Sequence, residues 1–321
     1  MPTESGVLVT GANGFIGSHL CSHLHDRGYR VCGTVRKPAI QAYPFKTIIA
    51  PTLDRDNDWA RVFAGCRTVV HLAARVHITK DSSDDSLKEF RDLNTHATLN
   101  LAQRAIEHGV TRFLFISSMG VYGTQDHIKP LSPHDCPTPL TPYAISKYEA
   151  ELGLQALSAD TGLELVIIRP PLVYGPGVGA NFLRLLRAVD RGLPLPLDSV
   201  RNLRSLVYLG NLVDAIAACL ENPLAAGKTY LVSDGDDVST PELIRRLAHA
   251  LGCTPRLFPV PPGLMRLAGR LLDRGEEIDR LLGSLAVDSS AIRHDLGWTP
   301  PYSMEEGLLA TAHWYCSRKK P

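Results

Sequence analysis

The chain is first narrowed by what it lacks. Its seven cysteines (Cys21, Cys32, Cys66, Cys136, Cys219, Cys253, Cys316) include no pair at CxxC spacing. An odd, scattered set reads as reduced thiols rather than a disulfide framework or a zinc site. Neither sign of charge is in excess: 34 Lys plus Arg face 33 Asp plus Glu. A general nucleic-acid binder needs a basic field, so that class is set aside. There is no apolar run of roughly 18 residues, so membrane insertion is not expected. The opening MPTESGVLVTGANG has no basic stretch followed by an apolar one, so no signal peptide and a cytoplasmic location are expected. Repeats and low-complexity segments are also missing. What remains is 44% hydrophobic and 21% charged over 321 residues, the make-up of one large or two modest globular domains.

Short apolar runs alternate with helical stretches through the first half. Strands are expected at 7–9, 29–35, 47–49, 68–72, 112–117 and 163–169. Helices are expected at 16–27, 59–63, 87–108 and 143–159. That alternation predicts a doubly wound parallel sheet with right-handed crossovers. From Pro170 to Gly179 the prolines and glycines read as a loop. Beyond it, a helix is expected at 181–191, loop or edge strand at 194–203, an αβ rhythm at 207–221 and a helix at 240–251. Ser239 or Thr240 would cap that last helix, with Pro241 in its first turn. The stretch Leu264–Leu272 is amphipathic and basic, and packing within a smaller C-terminal lobe is preferred for it over a membrane surface.

Thr10-Gly11-Ala12-Asn13-Gly14-Phe15-Ile16-Gly17 follows the first strand and opens a helix. Glycines at 11, 14 and 17 let backbone approach a pyrophosphate, and a helix N-terminus offers free N–H groups to it. An acid ending the second strand would hold the ribose hydroxyls of NAD. This strand instead ends Val35-Arg36-Lys37, which suits a 2′-phosphate, so NADP(H) is favoured with NAD(H) as the alternative. Tyr143-Ala144-Ile145-Ser146-Lys147 places a phenol and an ammonium on one helix face. A cation in reach would lower the phenol's pKa from about 10 by about 1–3 pH units, letting it exchange a proton near neutrality. Ser117-Ser118 ends the fifth strand, at the sheet edge where ligands bind. His19 and His23 stand four apart, but no third ligand accompanies them. There is no G-x-S-x-G elbow for a hydrolase triad.

These residues resemble the extended short-chain dehydrogenase/reductases, which include UDP-galactose 4-epimerases, dTDP-glucose 4,6-dehydratases and 4-ketoreductases. The matching stretches are TGANGFIG (10–17), HLAA (71–74), Asn94, ISSMGVYG (116–123), YAISK (143–147), RPPLVYGPG (169–177), Asn181-Phe182, RNLRSLVYLGNLVDAI (201–216) and LGWTP (296–300). The resemblance implies a Rossmann domain over 1–170 plus about 205–235, and a sugar-nucleotide lobe over 171–204 and 236–321. It implies catalytic roles for Ser118, Tyr143 and Lys147. Gly11, Asn13, Gly14, Phe15, Ile16, Gly17, Arg36, Leu72, Ala73, Ala74, Asn94, Ser117 and Pro170 would line the cofactor with Tyr143 and Lys147. Ser118, Met119, Tyr143, Asn181 and Arg204 would meet the substrate.

Departures from the family pattern sharpen the expectation. Dehydratases carry Asp-Glu where this chain has Met119-Gly120, so loss of water is not expected. Thr52-Leu53 replaces the usual Asp-hydrophobic pair near the adenine. RPPLVYGPGVGANF, PLPLDSVRNLRSLVYLGNLVDAI and LVSDGDDVSTPELIRRLA are most similar to bacterial O-antigen 4-ketoreductases. The expected activity is therefore NAD(P)H-dependent reduction of the C4 ketone of a UDP-2-acetamido-2,6-dideoxy-4-keto-hexose. The product would be UDP-N-acetylquinovosamine or UDP-N-acetylfucosamine. The alternatives are a UDP-glucose or UDP-N-acetylglucosamine 4-epimerase with tightly held NAD, and a non-catalytic NADP-sensing protein. The resemblance also implies a homodimer through the helices bearing Asn94 and Tyr143. The segment Asp81–Asp85 reads as a solvated loop.

Overall fold

The computed structural model describes residues 6–36, 43–49, 59–76, 85–123 and 129–319. Strand β1 (Gly6–Thr10) leads into helix α1 (Phe15–Asp26), and then come β2 (Val31–Val35), β3 (Lys46–Ile49), α2 (Trp59–Phe63) and β4 (Cys66–His71). Helix α3 (Asp85–Phe90) runs through a π-helical turn (Arg91–His96) into α4 (Ala97–Glu107). Strand β5 (Arg112–Ile116), a 3₁₀ turn (Met119–Tyr122), α5 (Pro142–Thr161) and β6 (Glu164–Arg169) follow. A seven-stranded parallel sheet has the order β3-β2-β1-β4-β5-β6, then β9 (Thr229–Leu231) at its edge. This is the Rossmann-type arrangement.

The period of two along each strand divides the core. Val7 and Val9 of β1, Leu114 and Ile116 of β5, and Val166 and Ile168 of β6 share one apolar cluster with Leu20 and Leu24 of α1. Leu8, Phe113, Phe115, Leu165 and Ile167 point the other way, against Leu101 and Ala105 of α4 and Ala150 and Leu154 of α5. Both faces are covered, so these strands are apolar along their whole length rather than alternating. Chain order reverses between β1 and β4, and a cleft opens at the carboxyl edge of such a switch point.

Three local features depart from the sequence expectation. The loop expected at 170–179 contains strand β7 (Leu172–Tyr174), paired with β8 (Leu206–Tyr208) in a separate two-stranded sheet. Prolines at 170 and 171 precede that strand, where they remove no ladder donor. Strand β9 was not expected, because three residues leave no readable period. The helix expected over 87–108 is interrupted by the π turn, which the 3.6 pattern does not register.

Helix α6 (Ala180–Asp190), α7 (Leu209–Glu221), α8 (Thr240–Leu251), α9 (Pro262–Leu271), α10 (Gly275–Leu282), α11 (Ser290–Leu296) and α12 (Met304–Ser317) complete the chain. Helix α7 packs on the sheet, its Leu212 and Ile216 joining the α1-side cluster. Arg112 ties its end down: Nη1 donates to the carbonyls of Cys219, Leu220 and Asn222 at 2.9–3.0 Å, and Nε donates to Glu164 at 2.7 Å. A cation there satisfies carbonyls that the helix leaves open and suits the negative end of its dipole. Helices α6 and α8 share a further core with Leu308 of α12, centred on Phe182, Leu186, Ile244 and Leu247.

Candidate active site

The turn after β1 is built for close approach. Gly11 has φ +69°, which a side chain would strain, and a Cβ on Gly17 would lie 2.1 Å from the Gly11 carbonyl oxygen. Only glycine lets α1 start this near the strand. No side chain caps α1, whose N-cap is Gly14, so its first-turn N–H groups stay open to an anion. The cleft beside the turn has a volume of about 1480 Å³ and is lined by Gly11, Asn13, Gly14, Val35, Arg36, Leu72, Ala73 and Ala74, among others. Phe15 bridges the α1-side cluster and the α6–α8 core. Arg36 is exposed at the end of β2, while Lys37 and the Thr52-Leu53 pair lie outside the described residues.

A polar chain connects β1, β4 and the π turn. The Thr10 hydroxyl accepts from the N–H groups of Leu72 and Ala73, both at 3.2 Å, and meets His71 Nδ1 at 2.7 Å. On its other side, His71 Nε2 meets Thr98 Oγ1 at 2.9 Å, and Thr98 donates to the Asn94 carbonyl at 2.8 Å. With its lone pairs engaged, Thr10 donates its proton to Nδ1. Nε2 therefore carries the hydrogen, and the ring is neutral. Complete burial and the nearby Lys147 push His71 down to about 3, in agreement. The Asn94 side chain clamps the backbone of Arg75, accepting from its N–H at 2.8 Å and donating to its carbonyl at 3.0 Å. It also donates to Ser146 Oγ at 3.1 Å, and Ser146 donates to the Tyr143 carbonyl at 2.8 Å. The π turn supplies the extra residue that aims Asn94 at both partners.

Tyr143 sits in the first turn of α5, which Thr141 caps through the Ala144 N–H. Its ring meets Phe90 edge-on at 6.1 Å. Lys147 is buried, with Nζ 3.9 Å above the Phe115 ring. The expected lowering of the phenol's pKa is not found. Burial, the single cause acting on it, pushes Tyr143 up to about 12. Lys147 is pushed down to about 7 by the same loss of solvent, opposed by Glu151. Desolvation disfavours both charged forms, and it outweighs any attraction between them in this arrangement.

Ser118 caps the 3₁₀ turn, its Oγ accepting from the Gly120 N–H at 3.0 Å. A Cβ on Gly120 would lie 3.2 Å from that oxygen and 3.8 Å from Ala144 Cβ, so this turn abuts the start of α5. Met119 is buried, and its N–H donates to the Pro170 carbonyl at 3.1 Å. Ser117 is also buried, and its Oγ has no hydrogen-bond partner among the described residues. An orphaned buried hydroxyl at the carboxyl end of β5, with the glycine cradle, fits a dinucleotide cofactor.

Glu151 of α5, Arg169 at the end of β6 and Tyr122 of the 3₁₀ turn form a buried cluster that was given no role from the sequence. Arg169 grips the fully buried Glu151 with Nε at 3.0 Å and Nη2 at 2.5 Å, while Nη1 donates to Tyr122 Oη at 2.5 Å. The signal was present: Glu151 stands four residues after Lys147, on the same helix face.

The remaining expected residues lie further along the chain. Asn181 is exposed in the first turn of α6 and accepts from Arg184. Arg204 is half-buried. Its backbone bridges both Val238 and Leu285, and its Nη1 donates to the Gly283 carbonyl at 3.3 Å. His19 and His23 turn to different partners, the Phe15 carbonyl at 3.0 Å and Asp214 at 3.8 Å.

A parallel sheet with a glycine turn at its switch point, and a YxxxK helix across the cleft, defines a dinucleotide-dependent enzyme class. Residues 7–233 match the model of the NAD dependent epimerase/dehydratase family, and the chain belongs to that family. It is 41% identical over 308 residues to a UDP-glucose 4-epimerase of Vibrio cholerae, covering 95% of this chain and 94% of that one. It is 28% identical to the N-acetyl-alpha-D-glucosaminyl-diphospho-ditrans,octacis-undecaprenol 4-epimerase of Escherichia coli O157:H7, covering 97% and 95%. Among solved structures, MoeE5 in complex with UDP-glucose and NAD superposes with a TM-score of 0.78 at 27% identity, covering 98% and 100%.

Proposed function

We propose that the protein is an NAD-dependent 4-epimerase of a UDP-hexose or UDP-N-acetylhexosamine. The YxxxK pair Tyr143 and Lys147 on α5, with Ser118 in the turn that abuts the start of that helix, carries this reading beside a glycine cradle that fits a dinucleotide. The 41% identity to a UDP-glucose 4-epimerase over nearly the whole of both chains supports it. So does Met119-Gly120, which leaves no acid–base pair beside Ser118 for eliminating water.

NAD, when bound, supplies the acceptor and later donor of the C4 hydride, together with the positive charge of its oxidised ring. The first-turn N–H groups of α1 would hold the pyrophosphate, and the unpartnered Ser117 Oγ would offer the cofactor a buried polar contact. Tyr143 would take the proton of the C4 hydroxyl and return it to the same oxygen once C4 has been reduced from its other face. Ser118 hydrogen-bonds the same oxygen as its charge changes. Lys147 stabilises the phenolate. With its pKa brought near neutrality, it gains or loses a proton at little cost. Asn181 and Arg204 hold the sugar nucleotide, Arg204 by its guanidinium on the diphosphate.

One observation favours the 4-ketoreductase reading. Val35-Arg36 closes β2 where an acid would hold the ribose of NAD, and Arg36 is exposed to receive a 2′-phosphate. The deciding experiment measures the cofactor released on denaturing the purified protein, then offers UDP-glucose and UDP-N-acetylglucosamine without added cofactor. Bound NAD and formation of the galacto epimers are expected. NADPH consumption with a UDP-4-keto-6-deoxy-N-acetylhexosamine, and no epimerisation, would overturn the epimerase in favour of the reductase.

A further inference from the structure

Helix α9 packs into the lobe as expected, but through Met265 and Gly269, while its leucines stay outside. Gly269 lets it close on α10, where a Cβ would come within 2.8 Å of Ile278 Cγ1. Leu264, Leu267 and Leu271 recur at i, i+3 and i+7 on the outer side, 58%, 54% and 79% exposed, and Leu272 beyond them is 71% exposed. Phe258, just upstream, is 42% exposed. Singly exposed leucines are ordinary, but a stripe of them along one helix marks a surface that meets something apolar.

Through Leu272 the charge on this segment has one sign, and the acids Asp273, Glu276, Glu277 and Asp279 come after it with Arg274 and Arg280. From Leu243 to Leu272 the chain has no aspartate or glutamate, whereas Arg256, Arg266 and Arg270 fall within its last seventeen residues. All three arginines are exposed. Arg266 shares its charge with Asp279 at 3.2 Å, and Asp273 lies just past the helix. Leucines along one side with arginines at the flank complement an anionic lipid surface, with acyl chains for the stripe and headgroups for the guanidiniums. At ten residues and about 15 Å, α9 is too short to cross a bilayer, so it would lie in the interface plane.

We infer that α9 is a peripheral docking surface for an anionic phospholipid bilayer, with Leu264, Leu267, Leu271 and Leu272 entering the interface and Arg256 and Arg270 meeting the headgroups. This goes beyond the proposed activity and does not depend on it.

The test is flotation of the full chain with vesicles of phosphatidylethanolamine and phosphatidylglycerol, compared with pure phosphatidylcholine. The protein is expected to float at least about tenfold more with the anionic vesicles, and added salt should release part of it. The double variant Leu267→Ser and Leu271→Ser should lose flotation while keeping the wild-type circular dichroism and melting temperature. The variant Arg256→Gln and Arg270→Gln should lose the preference for anionic lipid. Absence of flotation with either lipid would overturn the inference, as would undiminished flotation of the serine variant. Light scattering that shows the leucine stripe joining two copies of the chain in lipid-free buffer would also overturn it.

Discussion

The sheet and the C-terminal part of the chain are held by different means. On the sheet side, β1 and β5 are buried at every residue, and the Thr10–His71–Thr98–Asn94 chain leaves each polar group partnered. On the C-terminal side, Arg204 hangs from single-residue bridges to Val238 and Leu285, and the segment around Leu195 from one bridge to Leu257. Continuous ladders fix atoms to the tolerance that proton and hydride transfer demand. Isolated bridges and helix ends hold side chains more loosely, and the sugar-nucleotide contacts proposed for Asn181 and Arg204 lie in that part. Damage to the sheet side should therefore appear in stability and turnover, and damage to the C-terminal side in substrate affinity.

The hardest test of that contrast is Glu151→Gln. It leaves the Arg169 guanidinium buried opposite a neutral amide, and chemical denaturation should show a loss of about 3–5 kcal/mol. If the variant were as stable as the parent, the buried pair would not be a support of the sheet side. Next in size is Tyr143→Phe. Turnover should fall roughly 10²–10⁴-fold while calorimetry shows UDP-sugar binding nearly unchanged. Retention of full turnover would remove Tyr143 from the mechanism.

A smaller effect is written into His71. Its folded pKa, about 3, lies below the ordinary histidine value, so its stabilising neutrality is complete above about pH 6.5 and is lost as pH falls toward 3. Between pH 6.5 and 4.5 this one ring should account for about 2–3 kcal/mol of the decline. His71→Gln should show a correspondingly flatter fall in urea melts, and an equal slope in both proteins would refute the assignment. The smallest effect belongs to the C-terminal side. Asn202 joins Thr240 to the carbonyls of Leu281 and Gly283, next to Arg204. Asn202→Ala should cost about 1–2 kcal/mol and raise KM severalfold with kcat unchanged. A fall in kcat instead would erase the distinction between the two sides.

The glycine turn, the central strands and YAISK were legible because each depends on residues close in sequence. Gly11, Gly14 and Gly17 read as a phosphate turn, and the runs VLV and FLFI as buried strands. Strand β7, strand β9 and the π turn were not, since three residues carry no period and a π turn is fixed by what Asn94 must reach. The expected activation of Tyr143 by Lys147 follows from their spacing. Spacing alone cannot weigh attraction against desolvation, and burial decided that balance.

By itself, then, the sequence determined the order of elements and the parallel sheet, consequences of local period and glycine placement, and it offered the candidate reactive side chains through short motifs. Only the tertiary structure decided what surrounds them. It set Lys147 over Phe115, closed Arg169 on Glu151, held His71 neutral between two threonines, and turned the leucines of α9 outward. Each of these depends on groups far apart in the chain, and contacts of that kind are fixed by packing, which no local pattern encodes.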